Sequence, residues 1–253
     1  MKEKLRVSVV AYLNAQPFIY GLKHHNVGDN INLTLDIPSE CARKLLNKES
    51  DIGLVPVAVI PQLKDYEIIG KTCIGALGKV ASVLLCSDVP LHEIEKVFLD
   101  FHSRTSVALV QVLSKHFWEI KPDFEQAPND FISKIQNKTA GVIIGDRTFN
   151  MKKDFNYIYD LSEEWFKFTS LPFVFAAWVG KKGLSEHILN EFEEALQLGL
   201  KEKDVVIKEN QPKFGDTFDV AHYLNMNIQY ELDEEKKKGL EQFFEYLKNM
   251  NLC

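Results

Sequence analysis

The chain has 253 residues, a formal net charge of −6, 45% apolar residues and 26% charged residues. That length allows one large or two modest domains with a sizeable core. The acidic balance provides no basic footprint for nucleic acid or an anionic membrane surface, and no apolar run reaches the roughly 18 residues that a transmembrane helix needs.

The N-terminal MKEKLRVSVVAYLNAQ has a short apolar core without a small-residue cleavage site. It reads as a strand and not as an export signal, which makes the cytoplasm the expected compartment. LRVSVV is the first strand, and Pro17 opens a helix through PFIYGLKHH, since proline suits the first helical positions. INLTLDI alternates with period two and reads as a second strand. Ser39 is the expected cap of SECARKLLNK, with Glu40 where a helix N-terminus favours negative charge. DIGLVPV reads as a buried strand stopped by Pro56, and residues 67–87 as strands broken at Gly75 and Gly78.

A second alternation begins near Asp88. KVFLDF is a strand, SRTSVALVQVLSKHF a helix, NDFISKIQN a further helix and AGVIIGD a buried strand. Ser162 can cap EEWFKF, and PFVFAAWVG is a strand. SEHILNEFEEALQLGLKEK has an apolar face of Ile188, Leu189, Phe192, Ala195, Leu196 and Leu200, the pattern of a long amphipathic helix. DVAHYLNMN, IQYEL and DEEKKKGLEQFFEYLKN follow as short helix, strand and closing helix. Strands alternating with helices predict α/β architecture with largely parallel sheets. The second block is nested in the first. This predicts two lobes, 1–87 with 177–253 and 88–176, with a ligand cleft between them at the carboxyl ends of the strands.

Four strand-exit loops are small and polar. LNAQP carries Asn14, which fits either a turn residue or the first polar group of a site. GALGKVAS carries Lys79 and Ser82, and its glycines suit a hairpin turn or close approach to a ligand. It lacks the Gly-Lys-Ser/Thr of a phosphate loop. SRTS (Ser103, Arg104, Thr105, Ser106) opens a helix whose free N–H groups favour an anion. Arg104 fits a bound carboxylate there, or else a solvated pairing with Asp100. IGDR places Asp146 and Arg147 after a buried strand, for a salt bridge or a ligand contact. His102 adjoins SRTS and could serve as a base or lie at the surface. Arg6, Arg43, Arg104 and Arg147 are the only arginines among 30 basic residues. Cys41, Cys73, Cys86 and Cys253 form no CxxC and read as small buried hydrophobes. No histidine pair has metal-ligand spacing, so neither a metal nor an organic cofactor is called for.

SVVAYLNAQPFIYGL, DIGLVPVAVIPQL, GKVASVLLCS, SRTSVALVQVL, GVIIGDR and LSEEWFKFTSLPFVFAAWVG occur in this order. Together they resemble the chorismate dehydratase family of the futalosine route to menaquinone, from about residue 7 to about residue 245. The resemblance implies the two-lobed fold of periplasmic solute-binding proteins (type 2). It also implies dehydration of the dianion chorismate to 3-[(1-carboxyvinyl)oxy]benzoate. By motif, Asn14 and Ser82 would lie closest to the chemistry, Ser103 to Ser106 would hold a substrate carboxylate, and Gly145 and Asp146 would line the opposite wall. His102 departs from the family's pattern and is given no essential role. NAQP, GKVAS and SRTS contain no carboxylate or histidine. The substrate's enolpyruvyl carboxylate is therefore the expected base, with lobe closure supplying a dry site. Two alternatives stay open: a 1,4-dihydroxy-6-naphthoate synthase-like lyase of the same pathway, and a non-catalytic protein binding a small anion. The oligomeric state is not legible.

Overall fold

The computed structural model describes residues 4–149, 151 and 154–252. Cys253 lies outside them. In chain order the elements are β1 (Leu5–Val10), α1 (Gln16–His24), β2 (Ile31–Asp36), α2 (Pro38–Leu46), β3 (Ile52–Pro56), β4 (Tyr66–Ala76) and β5 (Val83–Ser87). Then come β6 (Lys96–Leu99), α3 (Arg104–His116), β7 (Asp123–Gln126), β8 (Thr139–Ile144), β9 (Tyr157–Asp160), α4 (Leu161–Thr169) and β10 (Phe173–Lys181). The chain ends with α5 (Glu186–Lys201), α6 (Lys203–Phe214), α7 (Val220–His222), β11 (Gln229–Glu231) and α8 (Glu234–Asn249).

The strands form two sheets, ordered β11-β4-β10-β3-β1-β2 and β7-β6-β8-β5-β9. Both are mixed. β1 is parallel to β2 and β3, but β10 and β11 run antiparallel to their neighbours. In the second sheet β6 is parallel to β7 and β8, whereas β5 is antiparallel to β8 and β9. The expected largely parallel character therefore holds only for part of each sheet. The reversed strands β5 and β10 adjoin the passages between sheets, and β11 is added at the edge of the first sheet by the C-terminal segment.

Those passages differ from the expected boundaries. β5 pairs in the second sheet and β10 in the first, so the chain crosses at 77–82 and again at 170–172. The proline-marked turn at 87–90 suggested a later crossing. The real one runs through the glycine-containing loop after β4, where Gly78 has φ +77° and Ala81 φ +62°. GALGKVAS is thus a passage between sheets and not a hairpin.

Capping also shows local differences. Pro38 at the first position of α2 displaces Ser39 as its start, and Asp160 caps α4 in place of Ser162, accepting from Ser162 N and Glu163 N at 3.0 and 3.2 Å. Asp160 stands just before the helix with extended backbone, whereas Ser162 already lies within its first turn. NDFISKIQN is only a 3-10 turn at Phe131–Lys134. α5 conforms to its pattern, with Ser185 Oγ accepting from Ile188 N and Phe192, Ala195 and Leu196 buried. Cys41, Cys73 and Cys86 are buried free thiols, as expected, and burial pushes each up to about 12. Among the described residues no helix is long and apolar enough to cross a membrane.

Candidate functional site

The carboxyl ends of β1 and β8, the entry to α3 and the 77–82 passage converge on a cleft between the sheets, the place where ligands sit in folds of this kind. Its apolar walls are Val10, Tyr12, Pro38, Pro56, Ile74, Val80, Val83, Ile144, Phe175 and Ala176. Its other lining residues are Asn14, Ser82, Ser103, Ser106 and Gly145. Five residues singled out from sequence thus meet at one cleft, while Arg104, Thr105 and Asp146 do not line it.

Asn14 sits in a 3-10 turn, Leu13–Ala15, that leads directly into α1. Its carbonyl accepts from the Tyr230 hydroxyl at 2.9 Å, which anchors the strand exit to β11. Ser82 ends the passage between sheets. Ala81 before it holds a left-handed conformation, stabilised by donation of its N–H to Asp160 Oδ2 at 2.7 Å. Such a conformation costs a non-glycine residue about 1–3 kcal/mol and persists only where surroundings over-determine it. Here it turns Ser82 into the cleft, with Ser82 O accepting from Gly145 N at 2.9 Å and Ser82 Oγ accepting from Tyr223 at 2.8 Å.

At the head of α3, Ser103 Oγ caps Ser106 N at 3.2 Å and lies 3.1 Å from Ser106 Oγ. The N–H groups of Arg104 and Thr105 have no acceptor among the described residues, leaving donors and the positive end of a 13-residue helix for an anion. Arg104 itself is exposed. Asp100 pairs with Arg147, so the expected Asp100–Arg104 pairing does not form. Thr105 Oγ1 accepts from Ala58 N at 3.2 Å, tying α3 to the first lobe.

Gly145 has φ +67°, and a Cβ there would stand 2.8 Å from the Tyr12 ring. Both the conformation and the close approach require glycine. Asp146 accepts the Leu13 N–H with both oxygens, at 3.0 and 3.2 Å. Desolvation by burial raises its carboxyl to about 6, against the hydrogen bond from Leu13 N. The folded protein binds this proton more tightly than a carboxyl at its ordinary 3.8. The resulting stability is present below about pH 4 and lost as pH rises through about 6. Asp146→Asn, which keeps an acceptor but no charge, should therefore match the parent's Tm near pH 4. At pH 8 it should exceed it by a few degrees, as read by calorimetry at both pH values. Equal midpoints at pH 8 would rule out the strained carboxylate.

Tyr12 hydrogen-bonds His102 Nδ1 at 3.1 Å, and burial raises its phenol to about 12 against the opposing Arg147 charge. His102 is half-buried, off the cleft, and held below its ordinary value by desolvation and Arg147. Sequence reasoning missed Tyr12, Tyr223 and Tyr230. The adjacency of Tyr12 to Asn14 was the only local signal; the other two come from the far end of the chain.

The menaquinone biosynthesis family model matches residues 5–249. The chain is similar to a chorismate dehydratase of Thermus thermophilus, 27% identical over 92% of this chain and 96% of the relative. Among solved structures it is similar to protein AF1704 from Archaeoglobus fulgidus, with a TM-score of 0.77 and 16% identity over 100% and 99% of the two chains. It is also similar to the Candida albicans CA3427 product, described as having the generic periplasmic binding protein fold (TM-score 0.62, 10% identity, 98% and 95% covered). The fold is therefore the two-lobed periplasmic-binding-protein type, as the motifs implied. With the match spanning nearly the whole chain, this protein belongs to the menaquinone biosynthesis family.

Proposed function

We propose that this protein is a chorismate dehydratase, a hydro-lyase that converts chorismate to 3-[(1-carboxyvinyl)oxy]benzoate and water. The observation that carries the reading is that Asn14, Ser82, Ser103, Ser106 and Gly145, from four motifs of the family pattern, line one cleft. The end-to-end similarity to the Thermus dehydratase supports it.

The chemistry follows from the lining. Chorismate carries its enolpyruvyl ether and its hydroxyl on adjacent ring carbons. Breaking the C–H bond beside the ether and the neighbouring C–OH bond aromatises the ring, so the thermodynamic drive is intrinsic. The enzyme has to orient the ring, exclude water and manage the leaving hydroxide. Among the described residues that line the cleft there is no carboxylate, imidazole or amine. The substrate's enolpyruvyl carboxylate takes the ring proton and passes it to the departing hydroxyl, which leaves as water held by hydrogen bonds from Asn14 and Ser82, so the carboxylate is regenerated. The cap of α3 holds a carboxylate by N–H donors and the Ser103 and Ser106 hydroxyls, with no role for the exposed Arg104 side chain. Fixed dipoles in a dry cleft interact more strongly than they do in water. Tyr12, Ile74, Val80 and Phe175 supply the apolar walls for a planar ring. Opening the cleft must break the interlobe contacts Tyr12–His102, Leu13–Asp146, Ser39–His102 and Ala58–Thr105. Closure and assembly of the dry site are therefore one event.

The test is incubation with chorismate while aromatic product is followed by absorbance and mass. Loss of one water with formation of the substituted benzoate is expected. Binding without turnover would favour a small-anion binding protein. A chorismate analogue lacking the enolpyruvyl carboxylate should bind and not react; its dehydration would overturn the substrate-base step.

A further inference from the structure

Tyr223 is a buried polar side chain at this site that the reaction just described leaves without a part. It is 1% exposed and begins a π-helical turn, Tyr223–Asn227, that continues α7. Turns of this kind interrupt helices at functional sites more often than elsewhere. The turn is tied to the passage between sheets at two points. The Tyr223 hydroxyl donates to Ser82 Oγ at 2.8 Å, and Asn227 Nδ2 donates to Lys79 O at 3.0 Å. The Asn14 side chain lies near the same phenol. The ring is held edge-on by Phe149 at 4.8 Å and tilted against Phe218 at 5.6 Å, so the hydroxyl has little freedom to move.

We infer that Tyr223 is a positioning residue that turns the Ser82 hydroxyl proton toward the cleft. A hydroxyl has one proton to donate and two lone pairs to accept with. Tyr223 commits its proton to Ser82 Oγ, and Ser82's own proton has no acceptor among the described residues. That proton is left for the substrate's departing hydroxyl. Burial holds the Tyr223 phenol well above the ordinary tyrosine value, so it remains a donor throughout the range in which the enzyme works. The inference rests on the chorismate dehydratase reading.

The experiment compares chorismate turnover by the parent, Tyr223→Phe, Ser82→Ala and the double variant. Tyr223→Phe should lower kcat about 10- to 100-fold with KM within about threefold, because the ring keeps its packing and only the orienting bond is lost. In the Ser82→Ala background the same change should cost less than about threefold, since residues acting through one another are not additive. An unchanged kcat, or the full loss repeated in the Ser82→Ala background, would overturn the inference. If Tyr223→Phe fails to fold, 3,5-difluorotyrosine at position 223 keeps shape and hydroxyl but is more acidic. It should give kcat an alkaline limb below about pH 10 that the parent lacks; identical pH profiles would overturn the inference. Absence of parent turnover overturns both readings, whereas normal parent turnover with an unaffected Tyr223→Phe overturns this one alone.

Discussion

Asn14→Ala should lower kcat for chorismate by about 10²- to 10³-fold while leaving KM within a few-fold, the usual cost of losing one preorganised donor aimed at a leaving oxygen. The expectation rests on how firmly the backbone at Asn14 is held. β1 ends four residues earlier, α1 begins two residues later, and the Asn14 carbonyl is bound by the buried Tyr230 hydroxyl at 2.9 Å. Removing the side chain therefore deletes a hydrogen-bonding group without releasing the turn, and Tm should fall by no more than a few degrees. An amide does not titrate in the working range, so the pH profile of the residual activity should keep the parent's shape. Steady-state kinetics with calorimetry of the same preparation decides it. Parent-like kcat with intact binding would remove Asn14 from the reaction.

The largest effect on stability is expected from Gly199→Ala. α1 and α5 cross at Gly21 and Gly199, each helix pressed on the other's backbone. A Cβ at Gly199 would stand 1.8 Å from Pro17 O, and one at Gly21 would stand 1.9 Å from Ala195 O. Neither neighbour is a side-chain end that can swing away. The helices must separate, exposing parts of the Phe18, Trp178 and Phe192 cluster that packs between them and the sheet. Overpacking of this kind costs about 3 kcal/mol, equivalent to about 6–12 °C in Tm for a chain of this size. Because Pro17 opens α1 beside Asn14, turnover should fall along with stability. Gly183→Ala is the contrast. No atom lies within 4 Å of a Cβ there, so only its φ of +88° is strained, and the loss should be about 1 kcal/mol. Equal midpoints for the two variants would show that α1 can shift freely.

The strand-exit loops were legible because their chemistry is local. A polar residue after an apolar run, a proline at a helix start and a capping serine each act within a few residues. Ser103 is the clear case: it caps α3 as its position before the helix implied, and that cap faces the cleft. Arg104 is the opposite case. Its side chain is exposed and Asp100 turns to Arg147, a choice between two arginines that spacing alone could not make. The lobe passage was misplaced for a related reason. VLLCS is an apolar run that fits either sheet, and only its pairing with β8 and β9 assigns it.

Local chain pattern accounts for the alternation of strands and helices, the small polar exits of β1, β8 and the passage before β5, and the cap of α3. Each depends on propensity, periodicity or a hydrogen bond spanning a few residues. Contacts distant in the chain set which sheet each ambiguous strand joins, which charges pair away from the cleft, and the placing of Tyr223 and Tyr230 behind Ser82 and Asn14. Ser82 and Tyr223 are 141 residues apart in the chain, and no local pattern encodes a hydrogen bond over that separation. It forms because the C-terminal segment packs back onto the passage between the sheets, where burial leaves the phenol no other partner for its proton than the serine beside it.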